Sequence, residues 1–381
     1  MKIGLILEKF DPHKGGLEHW TWQFAEQLLL SGYGVHVIAF ESHPSVAQRG
    51  LVLHRLEMPR SRLARATAIE RHLRTLDLDV IHDMGCGWYA DIFHPHGGST
   101  LALWKHNLLR IPKWRQIRFW RERRYREMAE IERRQHAFKG ATIVAVSRMV
   151  QRHFETLHHL PSERMRLIYN GVDLERFSPA HRSIHRAATR QQLGIKNEVL
   201  FLMLAHNLVL KNAAALLQAT ARLSRTGSEI RVLIAGGKRP ESFIKLADRL
   251  GIAKTVTFLD QMEDPTPYYA AADVFVHPTW YDPCSLVTLE AWASGLPVIT
   301  THCNGAAELM SPDKEGFVLD RPDDVTALAT RMEELVVDEG LRRRMGEAAR
   351  ALALTHSFDG QMKRFLKIYD EVASHKQGTL R

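Results

Sequence analysis

Residues 272–309 read ADVFVHPTWYDPCSLVTLEAWASGLPVITTHCNGAAEL, and the rest of the chain is best placed around them. Residues 274–276 are a β-branched and aromatic run closed by His277-Pro278, the composition of a buried strand. From Ser285 onward Leu286, Leu289 and Trp292 recur at the helical period until Gly295 and Pro297 stop it. A second strand is predicted over 297–301. Strand, loop, helix, strand is a βαβ unit, whose helix N-terminus points unpaired N–H groups towards the carboxyl edge of a parallel sheet. An anionic group such as a diphosphate fits such a seat.

Seven residues separate Asp282 from Glu290, so one carboxylate stands in the loop before the helix and the other about one turn inside it. A carboxylate beside a bound phosphate would be repelled unless it accepted hydrogen bonds from sugar hydroxyls. The pair therefore suits a ligand with phosphates at its centre and hydroxyls on both sides, such as a nucleotide sugar. The same residues would also occur if Asp282 and Ser285 merely capped the helix.

The stretch resembles the donor-binding signature of the retaining glycosyltransferases of family 4, in which two glutamates seven residues apart precede a Gly-Leu-Pro-Val turn and a strand. Glu290, Ala291, Gly295, Leu296, Pro297 and Val298 match, whereas Asp282 stands where the family has its first Glu. The resemblance implies an α/β chain of GT-B architecture. Two Rossmann-like domains would face a central cleft, with a C-terminal helix crossing back to the first domain.

At 381 residues and 45% hydrophobic composition the chain can bury two substantial cores. It has no 18-residue apolar run. The start, MKIGLILEKF, turns polar within ten residues and reads as a first strand rather than a signal peptide. Cys86, Cys284 and Cys303 are too few and too scattered for a disulfide framework. A cytoplasmic protein is expected. Residues 1–173 carry 26 Lys and Arg against 18 Asp and Glu, and the remainder 26 against 25, so the +9 charge belongs to the first half.

In that half a strand over 3–7, a loop, a helix over 17–31 and a strand over 35–40 form another βαβ unit. The loop holds Lys14-Gly15-Gly16, where the backbone can approach a ligand closely. Gly15, Gly16 and Glu18 match the Gly-Gly-x-Glu loop that family 4 members present to the donor. Short strands follow near 51–56 and 80–82, with a basic helix over 64–75 between them, and 90–93 leads into His94-Pro95-His96-Gly97-Gly98. His94 and His96 are spaced as a metal pair could be, although 21 histidines make such spacings frequent. By resemblance, no metal and no cofactor beyond the nucleotide sugar is expected, and His96 is the histidine that would touch the transferred sugar.

Residues 105–134 carry eleven Lys and Arg against four Glu, interleaved with Trp104, Trp114, Phe119, Trp120 and Tyr125. This pattern suits a segment lying on an anionic membrane surface, each well-placed cation contributing about 1 kcal/mol. It also suits a site for a phosphorylated acceptor, or a solvated helix whose aromatics pack inward. Nucleic acid is a weaker match, since no RRM, KH or OB signature accompanies the charge.

A strand over 141–146, a helix over 149–156 and a strand over 165–169 close the first half, and Asn170-Gly171-Val172-Asp173 resembles the family's interdomain junction. Residues 176–190, with Pro179 and many polar residues, read as a linker. The expected domains are 1–173 with the helix of about 358–381 on the acceptor side, and 174–357 for the nucleotide sugar. The second restarts with a strand over 199–204 and a loop bearing Lys211, whose ammonium would meet phosphate. Leu208, Val209 and Leu210 occupy the positions where the family places an Arg beside this Lys. One charge-assisted hydrogen bond, about 1.5–3 kcal/mol, is then missing unless Lys238 or Arg239 replaces it.

The resemblance thus implies a hexosyltransferase that retains anomeric configuration and is most similar to enzymes extending the lipopolysaccharide core. Glu290 would bind the ribose, and Lys211 with the N–H groups of Ser285 and Leu286 the diphosphate. Asp282 would hold sugar hydroxyls. The partners would be a nucleotide sugar, a glycan or glycolipid acceptor and the inner face of the cytoplasmic membrane. An epimerase of the same architecture and a non-catalytic sugar- or lipid-binding protein are the alternatives.

Overall fold

The computed structural model describes residues 1–13, 15–46, 50–109, 122–237, 240–260 and 262–379. They form two compact units, Met1–Tyr169 with Met362–Arg381, and Asn170–Gln361. Each is built around a parallel sheet, as expected for an α/β chain with two Rossmann-like domains.

The first sheet has seven strands in the order β5-β3-β1-β6-β7-β8-β9. These are β1 (Lys2–Ile6), β3 (Gly34–Ala39), β5 (Val52–Arg55), β6 (Val80–Asp83), β7 (Ile92–Phe93), β8 (Thr142–Ala145) and β9 (Met165–Leu167), while β2 (Lys9–Phe10) pairs with β4 (Glu41–Ser42) apart from them. The C-terminal helix Phe358–Thr379 joins this unit from Met362 onward. Phe365 and Tyr369 are fully buried in it, the Tyr369 hydroxyl lies 2.6 Å from His82 Nδ1, and Lys376 Nζ donates to Asp91 Oδ2 at 2.6 Å.

The second sheet has six strands in the order β12-β11-β10-β13-β14-β15. They are β10 (Val199–Leu204), β11 (Ile230–Ala235), β12 (Val256–Leu259), β13 (Val274–His277), β14 (Val298–Thr301) and β15 (Gly316–Leu319). Every residue of β10, β13 and β14 is buried, which is why β10 and the first three residues of β13 read as continuous apolar runs and not as alternating ones. The chain runs outward from β10 to β12 and then returns to the other side of β10 with β13. The carboxyl ends of β10 and β13 are therefore the topological switch point, where open α/β sheets form a ligand crevice.

Two sequence expectations change. The expected linker 176–190 is largely the α-helix His181–Gln192 of the second unit. Arg182, Arg186 and Arg190 repeat every four residues along one face of it, and all three reach Asp273. The segment 170–173 also sits with the second unit. Val172 N donates to His356 O at 3.0 Å, Phe358 N donates to Val172 O at 2.9 Å, and Gly171 N donates to Gln361 Oε1 at 3.0 Å. Only glycine fits at 171, since a Cβ there would lie 2.5 Å from Ser357 O. Smaller differences fall at element ends, and the helix expected to begin over 305–309 is the short 3-10 helix Gly305–Leu309.

Of the basic segment, 110–121 lies outside the described residues. The helix Arg123–Ala137 follows it, with Arg123 paired to Glu127, Arg133 and Arg134 to Glu130, and Tyr125 edge-on to the buried Trp104. No helix among the described residues is long and apolar enough to cross a membrane.

Candidate functional site

In the second unit, β13 and β14 are in parallel register, His277 opposite Thr300, and the loop 278–285 with the helix Leu286–Ala293 connects them. The loop is pinned from several sides. Trp280 N donates to Leu210 O at 3.0 Å, Asp282 N to Cys303 O at 2.9 Å, and Thr301 Oγ1 to Thr279 O at 2.7 Å. Asn304 is fully buried and uses both ends of its amide. Its Oδ1 accepts from Ser285 N at 3.3 Å and Ala306 N at 3.1 Å, and its Nδ2 donates to Thr288 and Thr300 Oγ1, each at 3.1 Å. The Ser285 N–H expected to meet a diphosphate is thus taken by Asn304 here. Ser285 Oγ caps the helix by accepting from Thr288 N at 3.3 Å. The N–H groups of Leu286 and Val287, at the first turn, have no acceptor within the helix.

Lys211 and Asp282 meet across the switch point, Nζ to Oδ2 at 2.5 Å, and His277 Nε2 lies 2.9 Å from the same oxygen. Burial opposes the charge on Asp282, but the Lys211 ammonium and the His277 ring outweigh it and hold the carboxyl well below the usual range. Burial lowers His277 below its ordinary value, although its hydrogen bond to Asp282 works the other way. Lys211 is placed by the turn after β10: its N–H donates to Asn207 O at 2.9 Å, and Asn212 follows in the left-handed region at φ 61°. Leu208, in the stretch where the family's Arg was expected, is buried against Gly237; a Cβ on Gly237 would lie 2.5 Å from its side chain. Lys238 and Arg239 lie outside the described residues.

Glu290 is half-buried, and the Tyr269 hydroxyl donates to its Oε2 at 2.7 Å. Burial pushes its carboxyl above the ordinary value, partly offset by that hydroxyl and by Arg176. A half-buried carboxylate with a neighbouring cation, whose Oε1 has no partner among the described residues, can accept hydrogen bonds from hydroxyls. Among the described residues the carboxyl edge thus offers two carboxylates of opposite tendency, one ammonium and two N–H groups without an acceptor.

His96, Gly15 and Gly16 belong to the first unit. His96 packs on Trp20 and His94, ring centroids 4.5 and 4.0 Å away, and its Nε2 is buried without a hydrogen-bond partner among the described residues. Burial pushes its pKa down to about 3, so the ring is neutral near pH 7. Gly15 precedes the helix Gly16–Leu30 in extended backbone, and a Cβ on it would lie 2.5 Å from Glu18 Oε2. Lys14 lies outside the described residues. His277, Tyr269 and Asn304 were not singled out from sequence. His277 read as the residue that, with Pro278, ends a strand, and Tyr269 as a residue leading into the stretch.

The profile of the glycosyl transferases group 1 matches residues 185–352, and that of glycosyltransferase family 4 matches residues 14–176. The chain belongs to family 4. Among curated relatives of this family member, a D-inositol 3-phosphate glycosyltransferase of Salinispora arenicola (strain CNS-205) is 32% identical over 229 residues, covering 55% of this chain and 50% of the relative. One of Corynebacterium urealyticum (strain ATCC 43042 / DSM 7109), with the same name, is 33% identical over 217 residues, covering 54% and 51%. The chain thus spans about half the length of these curated relatives. Among solved structures, WaaG, a glycosyltransferase involved in lipopolysaccharide biosynthesis, superposes with a TM-score of 0.84 at 22% identity, over 96% of this chain and 99% of that one. Anabaena Alr3699/HepE in complex with UDP-glucose superposes with a TM-score of 0.76 at 20% identity, over 97% and 100%. The family 4 chain therefore has the GT-B fold.

Proposed function

We propose that this protein transfers a hexose from a nucleotide diphosphate sugar to an acceptor hydroxyl, with retention of anomeric configuration. The observation that carries the reading is the grouping of Lys211, Asp282, Glu290 and the first turn of the helix Leu286–Ala293 at one switch point. Glu290 accepts from the ribose hydroxyls. Lys211 and the N–H groups at the helix start stabilise the leaving diphosphate, and fixed dipoles aimed at developing charge are the main electrostatic contribution to such a step. Asp282 holds sugar hydroxyls once Lys211 turns to the phosphate, and His277 keeps Asp282 oriented. Nothing in this scheme requires a metal. Support for a nucleotide sugar also comes from the relatives of known structure that hold UDP and UDP-glucose.

The acceptor we favour is an anionic, lipid-linked cell-envelope glycan, reached from an anionic membrane surface. The basic excess of residues 1–173 supports this, as do Arg124 and Arg126, which are exposed on the helix Arg123–Ala137. A phosphorylated polyol is the second reading, because the curated relatives named above carry inositol 3-phosphate in their names. The test is to screen nucleotide sugars by thermal shift and assay each hit for nucleotide diphosphate release with a lipid-linked glycan or with D-inositol 3-phosphate. Acceptor-dependent release that Glu290→Ala abolishes is expected. Isomerised donor without release would make the protein an epimerase, and no nucleotide binding at all would make it a non-catalytic module.

A further inference from the structure

The parallel sheet of the second unit has a second edge. Around the amino ends of β10, β13 and β14, an open cavity of about 750 Å³ is walled by the helices His181–Gln192 and Glu339–Leu354. That volume lies within the usual range for small-molecule sites. Its lining holds seven cationic side chains against three carboxylates. All of them belong to the second unit, and β13 separates the cavity from Lys211 and Asp282: Asp273 precedes the strand and His277 ends it.

One carboxylate organises the cluster and is already saturated. Asp273 Oδ1 lies 2.6 Å from Arg186 and 3.6 Å from Arg182, and its Oδ2 accepts from Arg190 at 3.1 Å and from Leu200 N at 2.8 Å. Arg186 and Arg190 also donate to backbone carbonyls, so an architectural role explains both: they tie one helix to the strand starts. The same role explains Arg342, which donates to Leu335 O and Val336 O, and Arg350, which donates to Phe177 O and Ala293 O, but it does not account for Arg182 and Arg343. Among the described residues Arg182 has only the long contact to Asp273, at 3.6 Å. Arg343 is exposed and makes no hydrogen bond or ion pair among the described residues. Burial lowers the Arg182 guanidinium below its ordinary value, and Arg186, Arg190 and Arg342 add to the effect against the opposing pull of Asp273, a net crowding of like charge that an anion relieves. Guanidinium forks match phosphate oxygens two at a time, whereas carboxylates in the cavity are too few to neutralise them.

We propose that this amino-edge cavity is a binding site for a small soluble polyanion bearing at least two phosphate groups, with Arg182 and Arg343 as its direct contacts. The site is distinct from the carboxyl edge and does not depend on the transferase reading.

The test is isothermal titration calorimetry of the full chain with inorganic pyrophosphate in the Lys211→Met background, which removes the ammonium at the other edge. Binding at one site is expected, with Kd raised at least tenfold by Arg182→Gln/Arg343→Gln. Arg343→Gln alone, at an exposed position without contacts, keeps the fold and raises Kd at least threefold, while Arg343→Lys recovers part of the loss. No binding, or binding that these substitutions leave unchanged, would overturn the proposal. Co-sedimentation with phosphatidylglycerol vesicles that the same substitutions abolish, without any binding of free pyrophosphate, would assign the phosphate to a lipid headgroup and overturn the soluble ligand.

Discussion

Asp273 and Asp282 stand at opposite ends of β13, nine residues apart, and both are largely buried, yet their surroundings make them different kinds of group. Asp273 has three arginines within 4 Å and a backbone N–H on it, an arrangement with more cation than it needs. Asp282 has one lysine and one histidine. At the first, the surplus positive charge holds structure and leaves room for an anion. At the second, charge is balanced one to one, so a ligand phosphate that attracts Lys211 frees a carboxylate in the same movement. Over-compensated charge ties structure together with cation to spare, whereas evenly compensated charge at a switch point exchanges partners when a ligand phosphate arrives.

That contrast can be broken experimentally. Asp273→Asn leaves three arginines without their common partner, and removing one member of a buried ion pair costs about 3–5 kcal/mol. Urea denaturation of the second unit checks this, and a loss under 1 kcal/mol would mean the cluster is not architectural. Lys211→Met is expected to lower kcat/KM of transfer by roughly 100- to 1000-fold, the cost of removing one donor aimed at developing charge. It also strands Asp282, so the double variant Lys211→Met/Asp282→Asn should recover stability without recovering rate. Recovery of both would place Lys211 outside the chemistry.

A smaller effect separates Asp282 from Glu290. Asp282 is held below the ordinary carboxylate range by Lys211 and His277 against the cost of burial, whereas burial raises Glu290. Acidification therefore protonates Glu290 first, and donor KM should rise as the pH falls towards its raised pKa while Asp282 stays ionised. The lost charge-assisted hydrogen bond corresponds to about 1.5–3 kcal/mol. Glu290→Gln should flatten this limb; an acid limb that persists in it but disappears in Asp282→Asn would reverse the assignment. The stability signs are opposite. The contribution of Asp282 is complete above the ordinary aspartate pKa and is lost as the pH falls through its depressed one, whereas that of Glu290 is complete below the ordinary glutamate pKa and is lost as the pH rises through its raised one. The smallest expected effect is none: EDTA should leave the transfer rate unchanged, and a loss restored by Mg²⁺ would put a metal beside Lys211.

The stretch 272–309 was legible because its signals are local. A fully apolar strand, a helical period that stops at Gly295 and Pro297, and two carboxylates seven residues apart all lie within one βαβ unit. The helix His181–Gln192 was not, because its face is polar. Its burial comes from Arg190 and Thr189 and from ion pairs to Asp273, more than eighty residues away, so apolar periodicity had nothing to detect. The spacing of Arg182, Arg186 and Arg190 was the available signal, but a four-residue repeat of one charge is more often a solvated face.

The sequence by itself determined the two α/β halves, the parallel βαβ order and the identity of the carboxylates at the carboxyl edge, since periodicity, strand composition and turn residues act over a few residues. Only the tertiary structure decided that Lys211 closes on Asp282 from 71 residues away, that Tyr269 and His277 orient the two carboxylates, that Asn304 takes the Ser285 N–H, and that three arginines of an expected linker converge on Asp273. Those contacts depend on which strands become neighbours at the switch point, and no local pattern encodes that pairing.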